Sequence, residues 1–300
     1  MTCLFRITLP SLLMALLFFA PFHLHAQPLP GIPLTVTNSG HLEIEATVGG
    51  VKGKFLLDTG AGMHVFSKSF FDKIASGTSF AGRYTGFRAS GEPLWGQHYH
   101  IPEVVIGPVK ETGAVGGYTT ALDGMGIDGI ISLTAFRNQP FTLDYASKQV
   151  VFETAASLSQ RAKTGKTWPV TIRSDRDKIL EIFANVQVND TTVLETLLDT
   201  GGGHYVRVDA RLMPNLGVSK SDETVRKNQR ESPFTKGFTE TAYITPVNVS
   251  FRPAGITDVA LVSPRVIFGE PLIYDAVMGL NWLGKQVTID VPGKRIVIQR

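Results

Sequence analysis

Cysteine is nearly absent from this chain of 300 residues, since Cys3 is the only one. No internal disulfide can form, and a cysteine nucleophile or a cysteine-ligated zinc or iron centre is excluded from everything downstream. A dominant charge is lacking too: 29 basic and 26 acidic residues leave a net +3, with no basic run interleaved with aromatics. Nucleic acid is therefore not an expected partner. The one charge-dense stretch, Lys220 to Arg230, mixes both signs and reads as a solvated face. Long apolar runs are confined to the start. Residues 1 to 26 carry Arg6, an apolar stretch of 12 residues from Leu9 to Ala20, Pro21, and Ala26 as a cleavage residue. This pattern predicts a secretory signal peptide, too short for the roughly 18 residues that span a bilayer. The expectation is an exported protein, periplasmic or secreted, with no stable membrane association once the segment is removed. An uncleaved N-terminal anchor is the alternative. The residues that follow are enough for two units with cores of adequate size and no bridges.

What is present is glycine (30), proline (17) and many short alternating segments, which together predict an all-β chain. Within it, Leu56-Leu57-Asp58-Thr59-Gly60 is echoed by Leu197-Leu198-Asp199-Thr200-Gly201. Upstream of the first triplet, Leu42, Ile44, Ala46 and Val48 alternate with polar residues before Gly49-Gly50. Upstream of the second, Leu180, Ile182, Ala184, Val186 and Val188 do the same before Asn189-Asp190. Each Asp is thus predicted to leave a hairpin. Downstream, Asp128 to Phe136 aligns with Asp275 to Leu283, and Phe141 to Asp144 aligns with Val287 to Asp290. The separations of matching aspartates, 141 for Asp58 and Asp199, 147 for Asp128 and Asp275, and 146 for Asp144 and Asp290, hold nearly constant. Order and spacing kept at four places predict a tandem duplication. The first lobe would span 27–153, an Ala/Ser/Lys/Thr-rich linker 154–170, and the second lobe 171–300.

Duplicated aspartates at strand tips suggest one site made by two halves. Two carboxylates about 3 Å apart cannot both ionise, so they hold one proton between them and can serve as base and acid at once. The ionised member activates water while the protonated one polarises a carbonyl, which hydrolyses a peptide bond without metal, cofactor or covalent intermediate. Gly60 and Gly201 permit the tight turns, and Thr59 and Thr200 offer short hydroxyls that would bond across the lobe interface.

With these residues the chain resembles the pepsin-like and retropepsin-like aspartic peptidase superfamily, over nearly all of its length after the signal segment. The matching pieces are Asp58-Thr59-Gly60-Ala61-Gly62, Asp199-Thr200-Gly201-Gly202-Gly203 and the later apolar-apolar-Gly element Val277-Met278-Gly279. Ser132 stands where the first lobe of the family usually has glycine. Ala61 and Gly202 lack the hydroxyl of pepsin-like members, which is closer to the retropepsin pattern and to bacterial two-lobed relatives. The resemblance implies a bilobal acid-protease-like fold of two duplicated β-barrel lobes with a cleft between them. Asp58 and Asp199 would be catalytic, peptide or protein the substrate, and a monomer sufficient because both acids lie on one chain. It further implies a flap hairpin over the cleft; residues 83 to 100, turning at Gly91-Glu92-Pro93, stand in the corresponding place, with Tyr84, Trp95 and Tyr99 as candidates for its aromatic. A non-catalytic exported protein that binds a peptide or partner in the same cleft is the alternative reading, and a self-processing or regulatory peptidase a third.

Other features read more plainly. Gly124 to Gly129 fits a dinucleotide fingerprint formally but leads into an apolar strand rather than a helix. Asp144 and Asp290 read as turn formers, Asp128 and Asp275 as structural. His98 and His100 lack a third metal ligand at fitting spacing, and His64 and His204, six and five residues after the two acids, read as packing or solvated residues, with a role in tuning the pair's titration as the alternative.

Overall fold

The computed structural model describes residues 28–300 other than 204–205, 233–234, 247–248 and 264–265. The predicted signal segment with Cys3, and His204, lie outside the described residues. Strands dominate, in three sheets, and the alternation of apolar and polar residues explains why. In Leu42–Val48 the four apolar positions are buried while Glu43, Glu45 and Thr47 are at least partly open. Gly49 and Gly50, at φ +55° and +82°, turn the chain into Val51–Asp58, the left-handed region that glycine enters without a Cβ penalty. In Ile179–Val188 the corresponding positions are again buried, Asn189 turns at φ +49°, and Thr192–Leu198 returns.

Residues of the first half form an eight-stranded sheet that folds back on itself, because Leu42–Val48 pairs with both Val51–Asp58 and Pro93–Ile106. A ten-stranded sheet is built from the second half. The two use matching connections. Phe55 to Asp58 runs parallel to Gly129 to Ser132, as Thr196 to Leu198 does to Ala276 to Met278. His64 to Ser67 runs parallel to Gly116 to Thr119, as Arg207 to Asp209 does to Ile267 to Gly269.

The third sheet, of six strands, draws on both halves. At its centre Phe141–Asp144 pairs antiparallel with Gln286–Asp290, placing Thr142 opposite Thr288 with their hydroxyls 2.7 Å apart. Its outer strand Lys166–Pro169 comes from the stretch expected as a linker. That stretch is ordered. Thr154 and Ser157 form a capping box at the start of the helix Ala155–Thr164, which satisfies its orphan N–H groups. Arg161 on that helix pairs with buried Glu153 at 2.6 Å and reaches Gln286 and Gln299, and Trp168 is buried. A short polar composition concealed one buried aromatic and one well-placed arginine, which are enough to tie it down. Among the described residues no helix is long and apolar enough to cross a membrane.

Candidate active site

The two Asp-Thr-Gly loops meet. Leu57 in the first strand and Leu197 and Leu198 in the second are buried, and four hydrogen bonds tie loop to loop. The Thr59 hydroxyl donates to the Leu198 carbonyl at 2.6 Å and accepts the Thr200 N–H at 3.1 Å. Reciprocally, the Thr200 hydroxyl donates to the Leu57 carbonyl at 2.6 Å and accepts the Thr59 N–H at 3.0 Å. Both threonines are buried, so these bonds operate in low dielectric where leaving them unmade is costly. They fix the separation of the adjoining acids.

Asp58 and Asp199 are both half-buried, and their carboxyls hydrogen-bond each other. Asp58 Oδ1 accepts the N–H groups of Gly60 and Ala61 at 2.8 and 3.1 Å; Asp199 Oδ1 accepts that of Gly202 at 2.9 Å. Burial, and then the neighbouring Asp58 charge, push the Asp199 carboxyl well above the usual carboxylate range, against the pull of backbone N–H groups. The pair thus holds one proton between its carboxyls above the usual carboxylate range. The glycines have a stronger reason than tight turning. A Cβ on Gly60 would lie 2.5 Å from Asp199 Cγ, and one on Gly201 would strike Asp58 Oδ2. Each loop leaves room for the other loop's acid.

Behind the loops the halves differ. Gly279 packs against the Gly203 carbonyl with no space for a Cβ. In the first half Ser132 occupies the corresponding place beside Asp58, and its buried hydroxyl bonds Thr134 at 2.7 Å. His64 closes this polar group: its Nδ1 accepts the Ser132 N–H at 3.2 Å, and Nε2 lies 3.1 Å from the Thr134 hydroxyl and 2.8 Å from Glu111. Since Nδ1 accepts, the ring proton belongs on Nε2.

The expected hairpin is present as Ser79–Phe87 paired with Pro93–Ile106. Its three candidate aromatics do not share a face. Tyr84 lies across Gly96, stacks on His98 at 4.4 Å between centroids and is pushed up in pKa by burial. His98 Nε2 in turn sits 3.1 Å from the sulfur of Met63, five residues after Asp58. Burial lowers the His98 pKa, followed by the charges of Lys178 and Arg176 from the second half. Trp95 and Tyr99 alternate onto the opposite face. Trp95 is 71% exposed, while Tyr99 packs on Phe71 and Tyr118. Two of the three candidates are therefore set aside, because strand periodicity turns them away from Tyr84 and Met63.

The hairpin tip reaches the second half, a contact no sequence signal announced. The Ile273 N–H donates to the Ala89 carbonyl at 2.9 Å, and Ala89 packs against a small apolar cluster of Phe183, Leu197, Leu272 and Val277. Glu92 is fully buried; it accepts from Arg88 at 2.8 Å and from the Ser232 hydroxyl at 2.6 Å. Arg88 also contacts Glu240 at 3.3 Å, which Arg230 holds at 2.7 Å. Burial opposes ionisation of both glutamates, yet these donors hold Glu92 and Glu240 below the usual carboxylate range.

The remaining candidates have structural partners. Asp144 Oδ1 accepts from Ala146 and Ser147, and Asp290 Oδ1 from Gly293, each closing a turn. Asp128 bonds the Lys54 N–H. The stretch 124–129 runs directly into the strand Gly129–Ser132. Among the described residues no group of three His, Cys, Asp or Glu is placed to hold a metal. No protein-family model matches the chain, and no curated protein matches its sequence.

Proposed function

We propose that this protein is an aspartic endopeptidase, with Asp58 and Asp199 as a catalytic dyad in the cleft between two duplicated acid-protease-like lobes. The observation that carries this reading is the hydrogen-bonded pair of carboxyls framed by reciprocal Thr59 and Thr200 bonds. The repeated parallel pairings and the Thr142–Thr288 contact support the duplication. In the proposed reaction Asp58 takes a proton from water as it attacks the scissile carbonyl, and Asp199 donates to the carbonyl oxygen. The tetrahedral gem-diol then collapses as a proton passes to the amine. The substrate lies extended under the hairpin, as strand-like peptides do in such grooves, with Tyr84 facing it. The N-terminal apolar segment supports export, and one chain provides both acids.

Binding without turnover is the second reading, favoured by the hairpin tip bonded to the second half. Incubation of the purified chain with a peptide library at pH 3 to 7, with and without a statine-type transition-state analogue, decides between them. Cleavage that the analogue blocks and that Asp58→Asn lacks supports the enzyme. Tight peptide binding with no cleavage at any pH supports the binding protein.

A further inference from the structure

Around the hairpin tip, three arginines face two glutamates. Arg88 serves Glu92 and Glu240, and Arg230 serves Glu240. The third arginine, Arg207, makes no hydrogen bond or ion pair among the described residues. Its side chain lies flat across the strand Val266–Glu270: a Cβ on Gly269 would come within 3.0 Å of Arg207 Cδ and 3.2 Å of Cγ. From there it lines a pocket of about 370 Å³ together with Asn228, Arg230, Glu240 and Glu270. The carboxylates in that wall are already taken, Glu240 by Arg230 and Arg88, Glu270 by Lys220 at 2.7 Å and Tyr243 at 2.8 Å. The pocket thus presents one unanswered cation among the described residues.

Neither Asp58 nor Asp199 lines this pocket, but Val277 pairs on one side with Arg207 and on the other with Leu197, two residues before Asp199. Its charge is felt by, and responds to, Glu240, Arg230, Arg88 and Asp199, and burial lowers its pKa first among these causes. It therefore stands within electrostatic reach of both the hairpin tip and Asp199. The matching position in the first half, judged by pairing to the strands Gly129–Ser132 and Ala276–Met278, is Val65. Only the second half carries the charge. A partly desolvated guanidinium with a planar donor fork and no partner is suited to a carboxylate in bidentate geometry.

We propose that Arg207 anchors an acidic side chain of the peptide substrate, making this a peptidase selective for chains with Glu or Asp near the scissile bond. This rests on the peptidase reading. A basic side chain is disfavoured in the same pocket by Arg207, Arg88 and Arg230 together.

The test uses a peptide library in which each position in turn is Glu or Gln, cleaved by the wild-type chain and by Arg207→Gln. At one position, wild-type kcat/KM should favour Glu over Gln by about 10- to 100-fold, the range of one charge-assisted bidentate contact. In Arg207→Gln that ratio should fall close to one. Cleavage with no Glu preference, or a preference that Arg207→Gln leaves intact, overturns the assignment while the peptidase reading stands. If no peptide is cleaved, the peptidase reading fails, and calorimetric titration of the same Glu and Gln peptides into the wild-type chain still decides: tighter Glu binding upholds the anchor, equal binding removes it. Because Glu and Gln are exchanged in the peptide, the wild-type chain alone separates these outcomes even where Arg207→Gln does not fold.

Discussion

The two Asp-Thr-Gly loops are held alike and surrounded differently. Thr59 and Thr200 exchange the same pair of bonds in both directions, so the separation of the acids is set symmetrically. Behind Asp58, however, stands the polar group of Ser132, Thr134 and His64, whereas in the second half Gly279 packs against the Gly203 carbonyl with the Asn281 side chain beside it. Asp58 Oδ1 accepts two N–H groups and Asp199 Oδ1 one, and burial raises Asp199 above the usual carboxylate range. Ahead of the loops, the first half extends the long hairpin and the second half receives its tip. The contrast teaches that scaffolding and polarisation are separate tasks. Symmetric bonds bring two like groups together, and unequal surroundings give each its own neighbours.

The most severe way to break this comparison is to neutralise one acid. Asp58→Asn or Asp199→Asn should each lower kcat by about 10²- to 10⁴-fold or more, and retained turnover in either would sink the dyad. Their stabilities add a sharper test. A carboxyl raised in the folded state binds its proton more tightly there than in the unfolded chain, so stability falls as pH rises from the ordinary value of 3.8 toward the raised one. Asp199→Asn removes that penalty. It should melt higher than wild type at pH 7, with the gain shrinking toward pH 3.8; an unchanged difference across that range would contradict a raised Asp199 carboxyl.

Removing the symmetric scaffold comes next. Thr59→Val or Thr200→Val keeps the shape but strands a buried carbonyl and a buried N–H, at a cost of about 1–3 kcal/mol in urea unfolding. The double variant should lose less than the sum, since either one already opens the same loop interface. Strict additivity would argue that the loops are held from elsewhere.

A smaller effect is expected from Glu92→Gln at the hairpin tip, about 1–3 kcal/mol at pH 7 through the lost charge on Arg88 and Ser232. Glu92 and Glu240 are depressed in the folded state, so their contribution is present above the ordinary value of 4.5 and lost as pH falls through their lowered pKa values. The difference between wild type and Glu92→Gln should therefore vanish in acid, and amide exchange across 79–106 in the wild type should quicken there. Exchange insensitive to pH below 4.5, after correction for intrinsic rates, would detach the hairpin from these carboxylates. The mildest change is Ser132→Gly, which makes the two halves more alike. It removes one hydroxyl contact to Thr134 and should cost under about 1.5 kcal/mol, with turnover retained; loss of turnover would show that the polar group behind Asp58 takes part in the reaction.

Much of this arrangement was legible in the sequence. Period-2 alternation from Leu42 and from Leu180 marked the hairpins, and the repeated triplets pointed to Asp58 and Asp199 because a duplicated frame carries its motif to equivalent places. The hairpin near residues 83–100 was expected from the resemblance, which placed its turn at Gly91-Glu92-Pro93. The side of the sheet was not. Choosing Tyr84 over Trp95 and Tyr99 needs the strand register, since one residue's shift reverses every side chain. The order in 154–170 was hidden because it depends on Trp168 and Arg161 meeting distant strands.

By itself the amino-acid order determined the all-β character and the recurrence of the Asp-Thr-Gly triplet, since these follow from local periodicity and from residues recurring at fixed spacing. Tertiary structure decided that burial raises a carboxyl of the pair, where the hairpin tip docks, and that Arg207 stands unpaired among the described residues. Each of these depends on burial and on charges brought together from distant parts of the chain, and no local pattern encodes either.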